Sequence, residues 1–195
     1  MQVSFYDKIM AIAESLESAG IEYAFSGALA LGYYVVNPRA TRDIDINVAV
    51  DKTEASYVLG ALPPQIKWKL DAMGIAKATG EVKTTWLRET PVDLFFMNSD
   101  FHKVVQSRKE YHPFGTRSIE LPFVCATDLA VFKALFDRPK DWVDIDSMLR
   151  SQTVDIKEAL SWIKRLGSDA QLGKMKEAIA NASVPLPDRI EMRKQ

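Results

Sequence analysis

Residues 43–50 read DIDINVAV. Ile44, Ile46, Val48 and Val50 recur at the period of a β-strand with one buried face. Asp43 and Asp45 stand one pleat apart on the opposite face, a few ångströms from each other. Two carboxylates that close repel unless one is protonated or a cation lies between them. A hard divalent ion such as Mg²⁺ suits carboxylate oxygens and water. The tripeptide D-x-D is common, and a half-exposed strand would display the same pair, so the rest of the chain must decide its meaning.

The surrounding pattern predicts alternating helices and strands. Ser4 starts a helix with Phe5, Ile9, Ile12, Ala13 and Leu16 on one side and Gly20 at its end. Residues 21–25 alternate as a short strand. Ser26 and Gly27 then mark a sharp turn, and the helix after them ends before Asn37 and Pro38. After the acidic strand comes a helix closed by Pro63 and Pro64. Residues 65–80 are ambiguous, with Trp68 and Leu70 suiting an edge strand. Strands are expected at 81–90, 91–97 and 117–124, and a helix from Ser99 to Tyr111. Thr127 is read as the cap of a helix through Asp137. Helices follow from Lys140 to Arg150, over 154–166 and over 168–181, and the Pro-broken tail from Val184 is left irregular. The fold class is α+β: a mixed sheet flanked by helices over residues 1–125, with a helical C-terminal region, 126–195, packed on it.

Three features give the acidic pair a chemical reading. Asp93 lies between Val92 and Leu94, where an unpaired charge is costly, and a strand beside the first would bring three carboxylates together. Its plain alternative is an ion pair with a neighbour such as Arg88. The Ser26-Gly27 turn opens a helix, whose free N–H groups and dipole attract anions. Arg39, Thr41 and Arg42 flank the pair and could hold phosphates.

These segments in this order resemble the DNA polymerase β-type nucleotidyltransferase superfamily. The run FSGALALGYYVVNPRATRDIDINV is similar to that family's small-residue turn, short helix and D-x-D strand. Arg39, Thr41, Asp43, Ile44 and Asp45 form an R-x-T-x-D-I-D run similar to minimal bacterial nucleotidyltransferases and AbiEii-like toxins. TPVDLFF resembles the third-carboxylate strand, and ATDLAVFKALFDRPKDWVDIDSML a downstream lysine helix with a K-D-x-x-D-I run. The turn departs from the family, reading Ser-Gly where many members have Gly-Gly or Gly-Ser.

The resemblance implies a magnesium-dependent nucleotidyltransferase. Asp43, Asp45 and Asp93 would bind two Mg²⁺ ions, and Asp93 would also orient or deprotonate the attacking hydroxyl. Ser26 and Gly27 would meet the β- and γ-phosphates of an NTP, and Lys133 would point at the triphosphate. A surface lysine folding its stem over the helix is the alternative for Lys133. Asp141 and Asp144 read as favourable charges at a helix start, with a supporting role left open. The acceptor could be a tRNA 3′ end, a protein or a small molecule, and a cognate antitoxin is an implied partner. Two rival readings stand: an antibiotic-type nucleotidylyltransferase, and a non-catalytic nucleotide- or partner-binding module.

Bulk properties narrow the setting without choosing among these. A net charge of −1 argues against a globally basic nucleic-acid binder, though not against a local basic pocket. The single cysteine, Cys125, excludes an internal disulfide framework and reads as a small buried hydrophobe in a reducing, cytoplasmic setting. No stretch is apolar for the roughly 18 residues that suggest a membrane span. His102 and His112 carry no assigned chemistry, and Trp86, Phe95, Phe96 and Trp142 read as core, although one aromatic near the pocket could stack on a nucleobase.

Overall fold

In the computed structural model, which describes residues 3–115 and 119–182, the alternating run becomes an eight-residue strand, Ile44–Asp51. The elements in chain order are α1 (Phe5–Ser18), β1 (Tyr23–Phe25), α2 (Gly27–Tyr34), β2 (Ile44–Asp51), α3 (Ala55–Ala61), β3 (Ile66–Lys67), α4 (Ala72–Thr79), β4 (Glu81–Trp86), β5 (Thr90–Met97), α5 (Asp100–Ser107), β6 (Glu110–Pro113), β7 (Glu120–Phe123), α6 (Ala126–Phe136), α7 (Pro139–Arg150), α8 (Ile156–Leu166) and α9 (Asp169–Ala182). A short 3₁₀ turn, Lys52–Glu54, leads into α3. The strands form one mixed sheet in the order β3-β4-β5-β2-β1-β7-β6, parallel between β2 and β5 and between β1 and β7.

The sheet has two unlike faces. Ile44, Ile46 and Val48 of β2, Val92, Leu94 and Phe96 of β5, and Val82 and Trp86 of β4 are all buried on one of them. Burying each such side chain contributes about 1.5–3 kcal/mol, so these rows fix the register of the central strands. On this side Lys8 of α1 donates to the Thr90 hydroxyl at 2.9 Å. The other face carries Asp45, Asp93, Phe95 and Lys83, and it is only partly covered, by α2, α5 and α6.

Local chemistry sets several boundaries. The Ser4 side chain accepts from the Asp7 N–H and starts α1, and Gly20 follows its end at φ +67°. Gly80 ends α4 in the left-handed region, which a glycine adopts at little cost. Between β4 and β5, the Glu89 N–H reaches the Trp86 carbonyl at 2.9 Å. Leu87 and Arg88, at φ +46° and +64°, form the two central residues of this type I′ turn without a glycine or asparagine.

Four sequence expectations are corrected. Residues 65–80 hold a two-residue edge strand and then the helix α4, not an extended edge strand. The helix expected to run to Tyr111 stops at Ser107, and Glu110–Pro113 pair with β7 as an edge strand. The first strand begins at Tyr23, because the Ile21 N–H closes the end of α1 by bonding to Leu16. Thr127 does not cap α6: Cys125 occupies the N-cap, and the Thr127 hydroxyl accepts from the Asp155 N–H at the start of α8. Cys125 is buried, and burial pushes its thiol up to about 12. Among the described residues no helix is long and apolar enough to cross a membrane. The tail from Val184 lies outside the described residues, as do Arg117 and Ser118 of the strand expected at 117–124.

Candidate active site

Parallel pairing of β2 and β5 places Asp45 directly beside Asp93. Asp43 precedes β2 by one residue and shares the Asp45 face. Its main chain is bracketed by Thr41, whose hydroxyl accepts from the Asp43 N–H at 3.1 Å. Arg88, the alternative partner for Asp93, lies instead in the β4–β5 turn; the register neighbours of Asp93 are Asp45 and Lys83.

The Ser26-Gly27 turn is tied to the same point. The Ser26 N–H donates to the Asp45 carbonyl at 2.8 Å. Gly27 has φ +59°, and a Cβ on it would collide with the Asp45 carboxylate, lying 2.6 Å from Cγ. Only glycine therefore lets the Asp45 side chain lie over the first turn of α2. Ser26 is the N-cap of α2 but makes no side-chain cap. The first N–H groups of that helix are left to face the cleft, where an anion would satisfy them.

Burial raises the Asp45 carboxyl above its ordinary range, and the Asp43 charge adds to it. Lys133, Arg138 and Lys140 pull the other way. Burial, and then the Asp45 charge, raises Asp93 to about 6, against the opposing pull of Lys83. Among the described residues no three His, Cys, Asp or Glu side chains already converge as a metal cage. The donor set nevertheless fits a hard divalent cation. It offers oxygen ligands only, Asp45 and Asp93 are each raised partly by the other carboxylates, and a cation among them would relieve that repulsion.

Cations reach the cleft from α6 and α7. Lys133 is 4% exposed and is no surface lysine. Its ammonium donates to Asp144 at 2.6 Å and lies 3.9 Å from Asp141. Arg39 grips the same Asp144 through Nε at 3.1 Å and Nη2 at 3.2 Å, and Arg138 bonds Asp141 at 2.6 Å. Asp141 and Asp144 are thus buried partners in one ion-pair network, not merely favourable charges on a helix start. Burial pushes the Asp144 carboxyl up, but the hydrogen bonds and charges of Arg39 and Lys133 outweigh it and hold it below its ordinary range.

The structure divides the expected phosphate-binding set. Ser26, Gly27 and Lys133 line the cleft with Asp45 and Asp93. Arg39 is engaged by Asp144. Thr41 and Arg42 line a separate hollow with Ser4, Lys8 and Glu89. Sequence reading missed Arg138, whose signal was the charged R-P-K-D run after the lysine helix. Of the aromatics read as core, with one left open to stand near the pocket, Phe95 is half-buried on the cleft face, its ring 5.7 Å from that of Phe136.

No protein-family model matches the chain. No curated protein matches it either. Solved structures similar to it include an antigenic nucleotidyltransferase-like protein from Paracoccidioides brasiliensis, at 17% identity and TM-score 0.47, covering 91% of this chain and 94% of that one. The lincosamide antibiotic adenylyltransferase LnuA, bound to lincomycin, aligns at 14% identity and TM-score 0.46 over 72% of this chain and 94% of its own. The antibiotic-resistance factor ANT(2'')-Ia aligns at 12% identity and TM-score 0.46 over 93% and 92%.

Proposed function

We propose that the chain is a nucleotidyltransferase of the polymerase β-type superfamily, moving a nucleoside monophosphate from an NTP to a hydroxyl acceptor. The observation that carries this reading is the register of Asp45 beside Asp93, with the uncapped start of α2 at the same cleft. The N–H groups after Ser26 would hold the β- and γ-phosphates, and Lys133 and Arg138 would face them from α6 and the start of α7. Asp43, Asp45 and Asp93 would hold Mg²⁺, which when bound supplies charge for the phosphates and lowers the pKa of a coordinated oxygen.

Asp93 is suited to take the acceptor proton, because burial raises it to about 6, near a neutral working pH. The acceptor oxygen bonds to the α-phosphorus, the α–β bridging bond breaks, and pyrophosphate leaves. The finer placement near minimal bacterial nucleotidyltransferases and AbiEii-like toxins, with a cognate antitoxin as partner, rests on the R-x-T-x-D-I-D run.

The test is incubation with each radiolabelled NTP, Mg²⁺ and a total cell extract. Label should enter one acceptor class and should vanish for Asp43→Ala and for Asp45→Ala, each with an unchanged thermal midpoint. Transfer that survives either substitution refutes the mechanism.

A further inference from the structure

Beside the acidic cleft lies a second, larger space. The cleft holds about 60 Å³, and the adjoining chamber about 320 Å³, at the lower end for a small-molecule site. The two share Ser26, Glu81, Phe95, Phe132 and Phe136, so one molecule can occupy both. The chamber walls are chiefly Phe95, Phe101, Phe132, Leu135, Phe136 and Leu166. No lysine or arginine lines it, and its one acidic residue, Glu81, is also part of the cleft. His102, also in the wall, is held neutral at pH 7 because burial lowers it to about 4. An oligocation would find one carboxylate there and a phosphate chain no cation, whereas a neutral ring would fill it.

One polar group in this wall is left over. Asn47 lies one pleat beyond Asp45 on β2 and is 3% exposed. Its main-chain carbonyl accepts from Gln106 Nε2 at 3.1 Å, but its side-chain Oδ1 has no partner among the described residues. A buried amide oxygen without a hydrogen-bond donor is destabilising. Asn47 is part of the chamber lining, and a half-turn about its last side-chain bond exchanges the amide oxygen and nitrogen.

We propose that this chamber binds an uncharged ring compound that donates a hydrogen bond to Asn47 and extends an arm into the acidic cleft. The arm is assigned on the strength of the nucleotidyltransfer reading; the ring site stands on the chamber alone. Two sources share this chemistry: the base and ribose of the nucleotide, or the ring of a small neutral acceptor.

Calorimetry on the full chain, with chelator and without any triphosphate, tests the site. One arm titrates adenosine, cytidine, guanosine and uridine. The other titrates 4-(hydroxymethyl)benzamide, and the dication 2-deoxystreptamine serves as the charged control. Saturable binding by either neutral arm, at least tenfold tighter than the control, supports the site. Nucleoside binding assigns the ring to the nucleotide, and benzamide binding without nucleoside binding assigns it to the acceptor. Binding by neither arm, or tighter binding of the dication, overturns the proposal. Asn47→Leu should weaken the bound probe about tenfold and leave its N-methylated analogue unchanged. Equal affinity in Asn47→Leu removes Asn47 from the site. Leu135→Trp, which fills the chamber, should abolish binding by both forms, and it carries the test where Asn47→Leu does not fold. Ring binding without monophosphate transfer would refute the proposed function and leave this site standing; transfer without ring binding would do the reverse.

Discussion

Asp45 lies against Gly27 with no room for a Cβ between them, and the Ser26 N–H bonds the Asp45 carbonyl from the same turn. The Ser26-Gly27 turn and the acidic strand are therefore one rigid unit. Gly27→Ala should lose about 1–2 kcal/mol from its positive φ and push the Asp45 carboxylate aside. Monophosphate transfer should fall about 100-fold, the usual effect of a misplaced catalytic group. Thermal unfolding and a single-turnover assay measure the two effects separately. Full activity in Gly27→Ala would show that Asp45 works from a position other than the one it holds against Gly27.

Asp93 and His102 give opposite pH dependences in one window. Asp93 is raised from 3.8 to about 6, so its folded form keeps a proton longer than its unfolded form. Its contribution to stability is present below pH 3.8 and is lost as pH rises through 6. His102 is lowered from 6.5 to about 4, so its contribution is present above 6.5 and is lost as pH falls toward 4. In chelator, Asp93→Asn should raise the thermal midpoint above pH 6 and leave it unchanged near pH 4. His102→Gln should flatten the fall on acidification. Parallel pH profiles for the two variants would contradict both assignments.

The ion-pair network predicts unequal costs for its two cations. Lys133→Met leaves Asp144 and Asp141 short of a buried partner and should cost about 3–5 kcal/mol. Arg39 keeps 39% of its side chain in solvent, so Arg39→Met should cost less, about 1 kcal/mol. Urea unfolding of both single variants and of each paired with Asp144→Asn would measure the couplings. A larger cost for Arg39→Met would place the centre of the network at the surface.

The β4–β5 turn stores strain at residues that do not line the cleft. Leu87 and Arg88 both hold left-handed backbone, which costs a side-chain-bearing residue about 1 kcal/mol or more. Leu87→Asn with Arg88→Gly should raise stability by about 1–2 kcal/mol, or about 2–8 °C in thermal midpoint. Monophosphate transfer should not change. A lower midpoint would mean that Leu87, half exposed, has a packing role.

Elements whose burial alternates are legible in the amino-acid pattern alone. β5 buries every second side chain, and β2 does so from Ile44 to Val48 apart from the buried Asn47, so Ile44, Ile46, Val92 and Leu94 declare both strand and face. β6 does not declare itself. Glu110 and Tyr111 are exposed on a sheet edge, and their residues continue a helical spacing that the chain abandons at Ser107. α4 hides for a related reason: Met73 and Ile75 are exposed, which blurs the apolar stripe. Of the candidate site, the carboxylates and the glycine turn stand out as residue types in places that need a reason. Their assembly does not, because the register of Asp45 with Asp93 is a choice made between strands. The partner of Arg39 is equally hidden, since Asp144 lies 105 residues away.

The Arg39–Asp144–Lys133 chain bears on how such a molecule can be recombined. Arg39 leads into the acidic strand, Lys133 lines the cleft from α6, and Asp144 of α7 holds both. A boundary after residue 125 follows the last strand, but it separates Arg39 from Asp144, which also holds Lys133. A C-terminal region transplanted from another chain would leave Arg39 without its carboxylate and the cleft without its ammonium. The two parts must therefore be exchanged, shortened or redesigned together.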